Sequence, residues 1–283
     1  MQSRVSALLR VTPQVAQHIA WGSRTVARVP GHRSGLEELA VSYYLAGEVL
    51  ILNNKYQKVS EISDTYPAGD FIDSKDNLYV VSGTVVDEFD KSGSLLDVYF
   101  SGLIDPVNVT VDAKQNVYVT DSRNDEIVEY AQGSNVVLYS CNTGFGNVGI
   151  AVDSLGDVFV NGGNTIVEYK GGLSACSETT TGISLGSSGG LQIDKKGDLV
   201  AGDQVNGIDI IPPPYKSISK TIKVSGGKDY YDDALTQNND LLFIASPNSA
   251  AVWVVKYPAG TLVTTLTSSA GLPFGVATYP YVK

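Results

Sequence analysis

Apolar and polar positions alternate with a period of two over short runs along most of this chain, and the runs recur at a spacing of about 40 residues. The unit is clearest as PVNVTVDAKQNVYVTDSRNDEIVEY from Pro106, with copies at PAGDFIDSKDNLYVVSG from Pro67, NVGIAVDSLGDVFVNGGNTIVEY from Asn147 and SGGLQIDKKGDLVAGDQVNGIDII from Ser188. Each reads as a short apolar strand, an Asp-x-x-x-Asn/Asp turn, an alternating strand, a polar loop and a third strand. Strand-only repeats of this length predict a β-propeller.

The turn aspartates fix the register. Asp73, Asp112, Asp153 and Asp194, with Thr236 and Tyr279 at the same place in two degenerate copies, are separated by 39, 41, 41, 42 and 43 residues. The last copy, LPFGVATYP from Leu272, holds only a first strand, whereas AVSYYLAGEVLILNNKYQKVSEIS from Ala40 holds only later ones. Together they complete one unit. The expectation is an all-β fold of six four-stranded blades, with blade one closed by the C-terminal strand, which leaves no free sheet edge at the seam.

Four positions before each mark stand Gly69, Gly149, Gly190 and Gly275, with Asn108 at that place in blade three. Innermost strands crowd at a propeller axis, so a residue without a side chain fits there. The repeated Asp, and the Asn77, Asn116, Asp157 and Asp198 that follow, read as turn formers and not as catalytic pairs.

Charge is distributed unevenly. Residues 1–36 hold five of the six arginines, both histidines (His18, His32) and no acid, which leaves the remainder at −15 of the total −10. Residues 1–37 are read as an Arg-rich, poorly ordered appendage and 38–283 as the propeller; the appendage lacks the apolar run and small-residue site of a secretory signal. An acidic propeller excludes nucleic acid as a partner, and no run is long enough to span a membrane. Cys141 and Cys176 fit no zinc spacing. They read either as a disulfide in an exported protein or as two independent thiols.

The phrases NVTVDAKQNVYVTDSRNDEIVEY and GIAVDSLGDVFVNGGNTIVEY resemble the NHL-repeat propellers, over roughly residues 40 to 283. More distant likenesses are the gluconolactonase-like calcium hydrolases and the streptogramin-cleaving virginiamycin B lyase. The first group implies calcium at the axis, held by carboxylates and amides. Here the residues before the recurrent glycine position are Ala68, Val107, Val148, Gly189, Tyr231 and Phe274, so that set is absent. The second implies a catalytic histidine, and both histidines lie outside the propeller.

The most divergent segment of the expected binding face is Lys228, Asp229, Tyr230, Tyr231, Asp232, Asp233. Asn108, Asp229, Tyr230, Tyr231, Asp232 and Arg123 are the candidate ligand contacts, with Asp105 and Asn147 on the rim. Asp229, Asp232 and Asp233 are the candidates for a metal such as calcium, or for acid–base chemistry were the protein an enzyme. The leading expectation is a monomeric, non-catalytic binding or interaction module, extracellular or in the envelope, taking a protein, small molecule or glycan on the axial face. A metal-dependent lactonase-like hydrolase or lyase and a carbohydrate binder are its rivals.

Overall fold

A computed structural model of the protein describes residues 37–280, and the basic appendage expected at 1–37 lies almost wholly outside them. Six four-stranded antiparallel sheets form the blades of a propeller. Their innermost strands are Pro273–Tyr279, Pro67–Ile72, Pro106–Val111, Asn147–Val152, Ser188–Ile193 and Asp232–Leu235, for blades one to six in order. In blade one the C-terminal strand pairs with Glu38–Tyr43, from Glu38 opposite Tyr279 to Tyr43 opposite Pro273, so the two ends of the chain close the ring.

Period-two alternation supplies the core. The inner strands turn one set of side chains to the preceding blade and the other to the following one, and six apolar clusters result, one per blade interface. In blade one, Leu39 and Val41 pack with Phe243 and Val254 of blade six, whereas Ala40 and Val49 pack with Leu78 and Val80 of blade two. Tyr79, Tyr99 and Tyr130 fill the interface of blades two and three. Among the described residues no helix is long and apolar enough to cross a membrane.

The repeated turn acid holds the same turn at each site. Asp153 Oδ1 accepts the N–H groups of Leu155 and Asp157, both at 2.8 Å, and Asp73, Asp112 and Asp194 repeat the pair. Thr236 serves in blade six, its hydroxyl accepting the Leu241 N–H at 3.1 Å. These turns lie on the face opposite the loops that enter the innermost strands. At the rim, Cys141 of the outer strand of blade three, Val137–Asn142, forms a disulfide with Cys176, which follows the short turn Leu173–Ala175 of blade four.

Candidate functional site

Antiparallel order puts the loops entering the innermost strands and the loops between second and third strands on one face, around the mouth of the axis. Four rings from three consecutive blades meet there. Tyr231, just before the innermost strand of blade six, touches Phe274 of blade one edge-on, with centroids 5.0 Å apart. Phe274 meets Tyr44 at 5.2 Å, and Tyr44 meets Tyr66 of blade two at 5.1 Å. Tyr66 is 52% exposed and the other three are partly buried, Tyr44 and Phe274 packing against the apolar cluster of blades two and three.

Two acids sit in the loops entering the innermost strands of opposite blades, Asp105 exposed before Pro106–Val111 and Asp229 partly buried before Asp232–Leu235. Burial raises the Asp105 carboxyl above its usual range, with Asp121 adding to the rise and the Arg123 charge opposing it. Burial also raises Asp229, opposed by the Asn248 N–H that its Oδ2 accepts at 3.2 Å. Both acids raise the Tyr231 phenol, after burial and Asp232, and Asp105 raises Tyr44, so these hydroxyls stay protonated at neutral pH. Arg123 is exposed on the same rim.

Beneath the mouth the axis is bridged. Asn108 and Asp232 occupy the recurrent small position in blades three and six, which face each other across the ring, and Asn108 Nδ2 donates to Asp232 Oδ1 at 3.3 Å. Asp232 Oδ2 accepts the Val276 N–H at 3.0 Å. The glycines make room for this bridge: a Cβ on Gly190 would stand 2.5 Å from Asp232 Oδ1.

A cavity of about 110 Å³ runs along the axis, lined by residues including Asp70, Asn108, Ile150, Gln192, Asp232 and Asp233. Asp70 Oδ1 accepts from the Ser42 hydroxyl at 2.6 Å, and Asp233 Oδ2 from Gln192 Nε2 at 2.5 Å. Asp70 Oδ2 and Asp233 Oδ1 have no hydrogen-bond partner, although the two residues are only 6% and 8% exposed. Burial drives both acids well above the ordinary carboxylate range, reinforced by the charge of Asp232. Asp232 is itself pushed up to about 7 by burial, opposed by the N–H groups it accepts. Neutral acids are the state such a lining favours.

The structure redistributes the residues expected from sequence. Asn108 and Asp232 come together, and Tyr231 reaches the mouth. Tyr230 does not offer a stacking face: it is 2% exposed, packs against Trp253 at 5.3 Å, and its hydroxyl accepts the Val224 N–H at 2.9 Å. The two neighbours lie in the loop that enters the strand Asp232–Leu235, and the loop turns Tyr230 into the core and Tyr231 toward Phe274. The metal trio also fails to assemble, because Asp229 stays in the entering loop while Asp232 and Asp233 line the axis. Among the described residues no three acids, histidines or cysteines form a metal-holding group, so these residues do not fit the calcium of the gluconolactonase-like proteins. Asn147, expected on the rim, is buried with its side chain between Thr143 and the Glu126 carbonyl.

Sequence reading missed Asp70, Tyr44, Tyr66 and Phe274. Asp70 carries a readable sign, since it and Asp233 sit one place after the recurrent small position where other blades have Val109, Ile150, Leu191 and Val276. The three rings lie in segments of irregular length, which only the closed ring brings together.

No protein-family profile and no curated protein sequence matches this chain. Among solved structures it is similar to a Bacteroides caccae protein of unknown function, at a TM-score of 0.69 and 12% identity over 86% of this chain and 98% of that one. A chain of a nidogen/laminin complex gives 0.69 and 17%, over 85% and 97%. A streptogramin B lyase gives 0.63 and 13%, over 85% and 83%. At these identities the likeness shows the six-bladed propeller fold and nothing finer.

Proposed function

We propose that this propeller is a non-catalytic binding module whose ligand seat is the axial mouth. The observation that carries the reading is the aromatic arc Tyr231–Phe274–Tyr44–Tyr66, with Tyr66 exposed, on the face whose loops also carry Asp105, Asp229 and Arg123. Aromatic faces give large contact area at low entropic cost, and flanking polar groups give orientation.

Against catalysis stands the separation of this surface from the ionisable axis by the Asn108–Asp232 bridge, both carboxylate oxygens of Asp232 being engaged. Both histidines, His18 and His32, fall outside the blades. The disulfide favours an extracellular or envelope location, where such bonds persist.

The test is a binding screen against small molecules, glycans and peptides with the full chain and its Tyr66→Ala and Tyr231→Ala variants. Ligands that bind wild type and lose affinity in folded variants support the reading. Turnover of any of them that disappears in Asp232→Asn would replace it with an enzyme.

A further inference from the structure

We infer that the protein pairs with a second copy of itself along the outer edge of blade three, the strand Val137–Asn142 of one protomer lying antiparallel to the same strand of its partner. Within its sheet that strand is bonded on one side only, to Glu126–Tyr130, and no strand covers the other side. An edge of this kind offers a row of N–H and C=O groups to another strand unless a charge, a proline or shortness guards it. Most outer strands here are guarded. Lys58–Ser63 carries Lys58 and Glu61, Leu95–Tyr99 carries Asp97, Glu178–Ser184 opens on an acid, and Lys220–Ile222 is three residues long and opens on a lysine. Val137–Asn142 has no charge, no proline and no glycine. Thr261–Leu266 of blade six is uncharged too, but of its large apolar side chains only Leu262 is exposed.

The surroundings of this edge favour a copy of the same surface. Val136, Val137, Leu138 and Tyr139 are all exposed, and so are Leu95, Leu96 and Phe100 on and just after the outer strand of blade two. The two groups form one patch, because Asn135 Oδ1 accepts the N–H groups of Phe100 and Ser101 at 2.8 and 2.9 Å and the Tyr130 hydroxyl donates to the Ser101 carbonyl at 2.7 Å. Asp97, the charge within the patch, turns back to the Val98 N–H at 2.8 Å. Seven half-exposed side chains make on the order of 500 Å² of apolar surface, at the upper end for a monomer. With the strand backbone, the patch approaches the roughly 800 Å² per partner that a stable dimer buries. Charge agrees with self-pairing: a two-fold axis lays the strand on its own copy, where any charge would meet its like, and this strand carries none. Repulsion between the two acidic bodies is weak at this range, since physiological salt screens charges beyond about 8 Å. The Cys141–Cys176 disulfide already fixes the strand to blade four, which lowers the ordering cost of pairing.

The experiment is sedimentation equilibrium of the full chain, with wild type set against Leu138→Lys, Tyr139→Lys and the control Leu262→Lys. Wild type is expected to be dimeric by about 100 μM. Either edge lysine is expected to weaken the dimer at least about ten-fold, and Leu262→Lys to leave it unchanged. All three side chains are exposed, so the variants keep the circular dichroism of wild type. Salt separates this pairing from a rival in which residues 1–36, at +5, bind the acidic body of a second copy. A dimer joined at the strand edge persists in about 1 M salt, where the screening length is about 3 Å, and one held by charge dissociates. A wild type that stays monomeric at about 100 μM overturns the inference. So does a dimer that ignores both edge lysines, one that salt dissolves, or one that Leu262→Lys weakens as much as Leu138→Lys does.

Discussion

Asn108 and Asp232 hydrogen-bond across the propeller axis at 3.3 Å from blades half a ring apart. They are the two side chains larger than a hydrogen at a position that is otherwise Gly69, Gly149, Gly190 and Gly275. One consequence concerns those glycines. A Cβ at 275 would lie 1.8 Å from the Ala68 carbonyl and 2.8 Å from the Asp70 carboxylate, a clash with backbone that no rotamer relieves. Gly275→Ala is expected to destabilise by more than about 3 kcal/mol. At Gly190 the closest atom is the Asp232 carboxylate, so Gly190→Ala is milder and is partly relieved in a Gly190→Ala/Asp232→Gly double variant. Urea midpoints of the four proteins check the order, and equal midpoints for Gly275→Ala and wild type would contradict the packing.

The axial acids predict an unusual pH dependence. Asp70, Asp232 and Asp233 titrate above the unfolded carboxylate value near 3.9, so the folded chain holds more protons than the unfolded one between roughly pH 4 and 7. Their contribution is fully favourable below that range and is lost as pH rises, until Asp232 ionises at about 7. Each pKa unit is worth about 1.4 kcal/mol, and Asp203, pulled down by backbone and Asn206 hydrogen bonds, has the opposite slope. The difference between wild type and Asp232→Asn therefore isolates the residue. The variant should be weaker at low pH, where its amide opposes the Val276 N–H, yet lose less stability between pH 5 and 8. Parallel melting curves across that range would rule out a titrating Asp232.

Much of the architecture is written in the repeats. The turn acid and the small inner residue recur because each blade must reverse direction in the same way and approach the same crowded axis. The site is harder to read, because its parts are exceptions in different blades. Tyr230 and Tyr231 look equivalent in the sequence, and only the path of the loop before Asp232–Leu235 sends one into the core with Trp253 and the other to Phe274. Tyr44 and Tyr66 sit in loops of blades one and two, and become neighbours of blade six only when Pro273–Tyr279 closes the ring.

The disulfide should be a measurable staple. It closes a separation of 35 residues, for which chain-entropy arguments give at most about 4 kcal/mol. Cys141→Ser/Cys176→Ser is expected to lower stability by about 2–4 kcal/mol while leaving ligand binding at the aromatic arc, on blades six, one and two, unchanged. Loss of binding without loss of fold would place part of the site at the outer strands of blades three and four, away from the axial mouth.

Ring closure makes the sharpest demand. The strand Pro273–Tyr279 supplies Val276 to the interface of blades six and one and Ala277 and Tyr279 to that of blades one and two. It also gives the N–H that Asp232 Oδ2 accepts. Removing it would expose the edge of Glu38–Tyr43 and two apolar interfaces at once, a loss well beyond the roughly 5–15 kcal/mol by which a domain is stable. A chain ending at Gly271 is therefore expected not to fold as a monomer. Adding a peptide of residues 272–283 in trans should restore sheet structure if the missing strand is the cause. A truncated chain with a cooperative melt and native-like circular dichroism would show that five blades and three strands hold the ring without its seam.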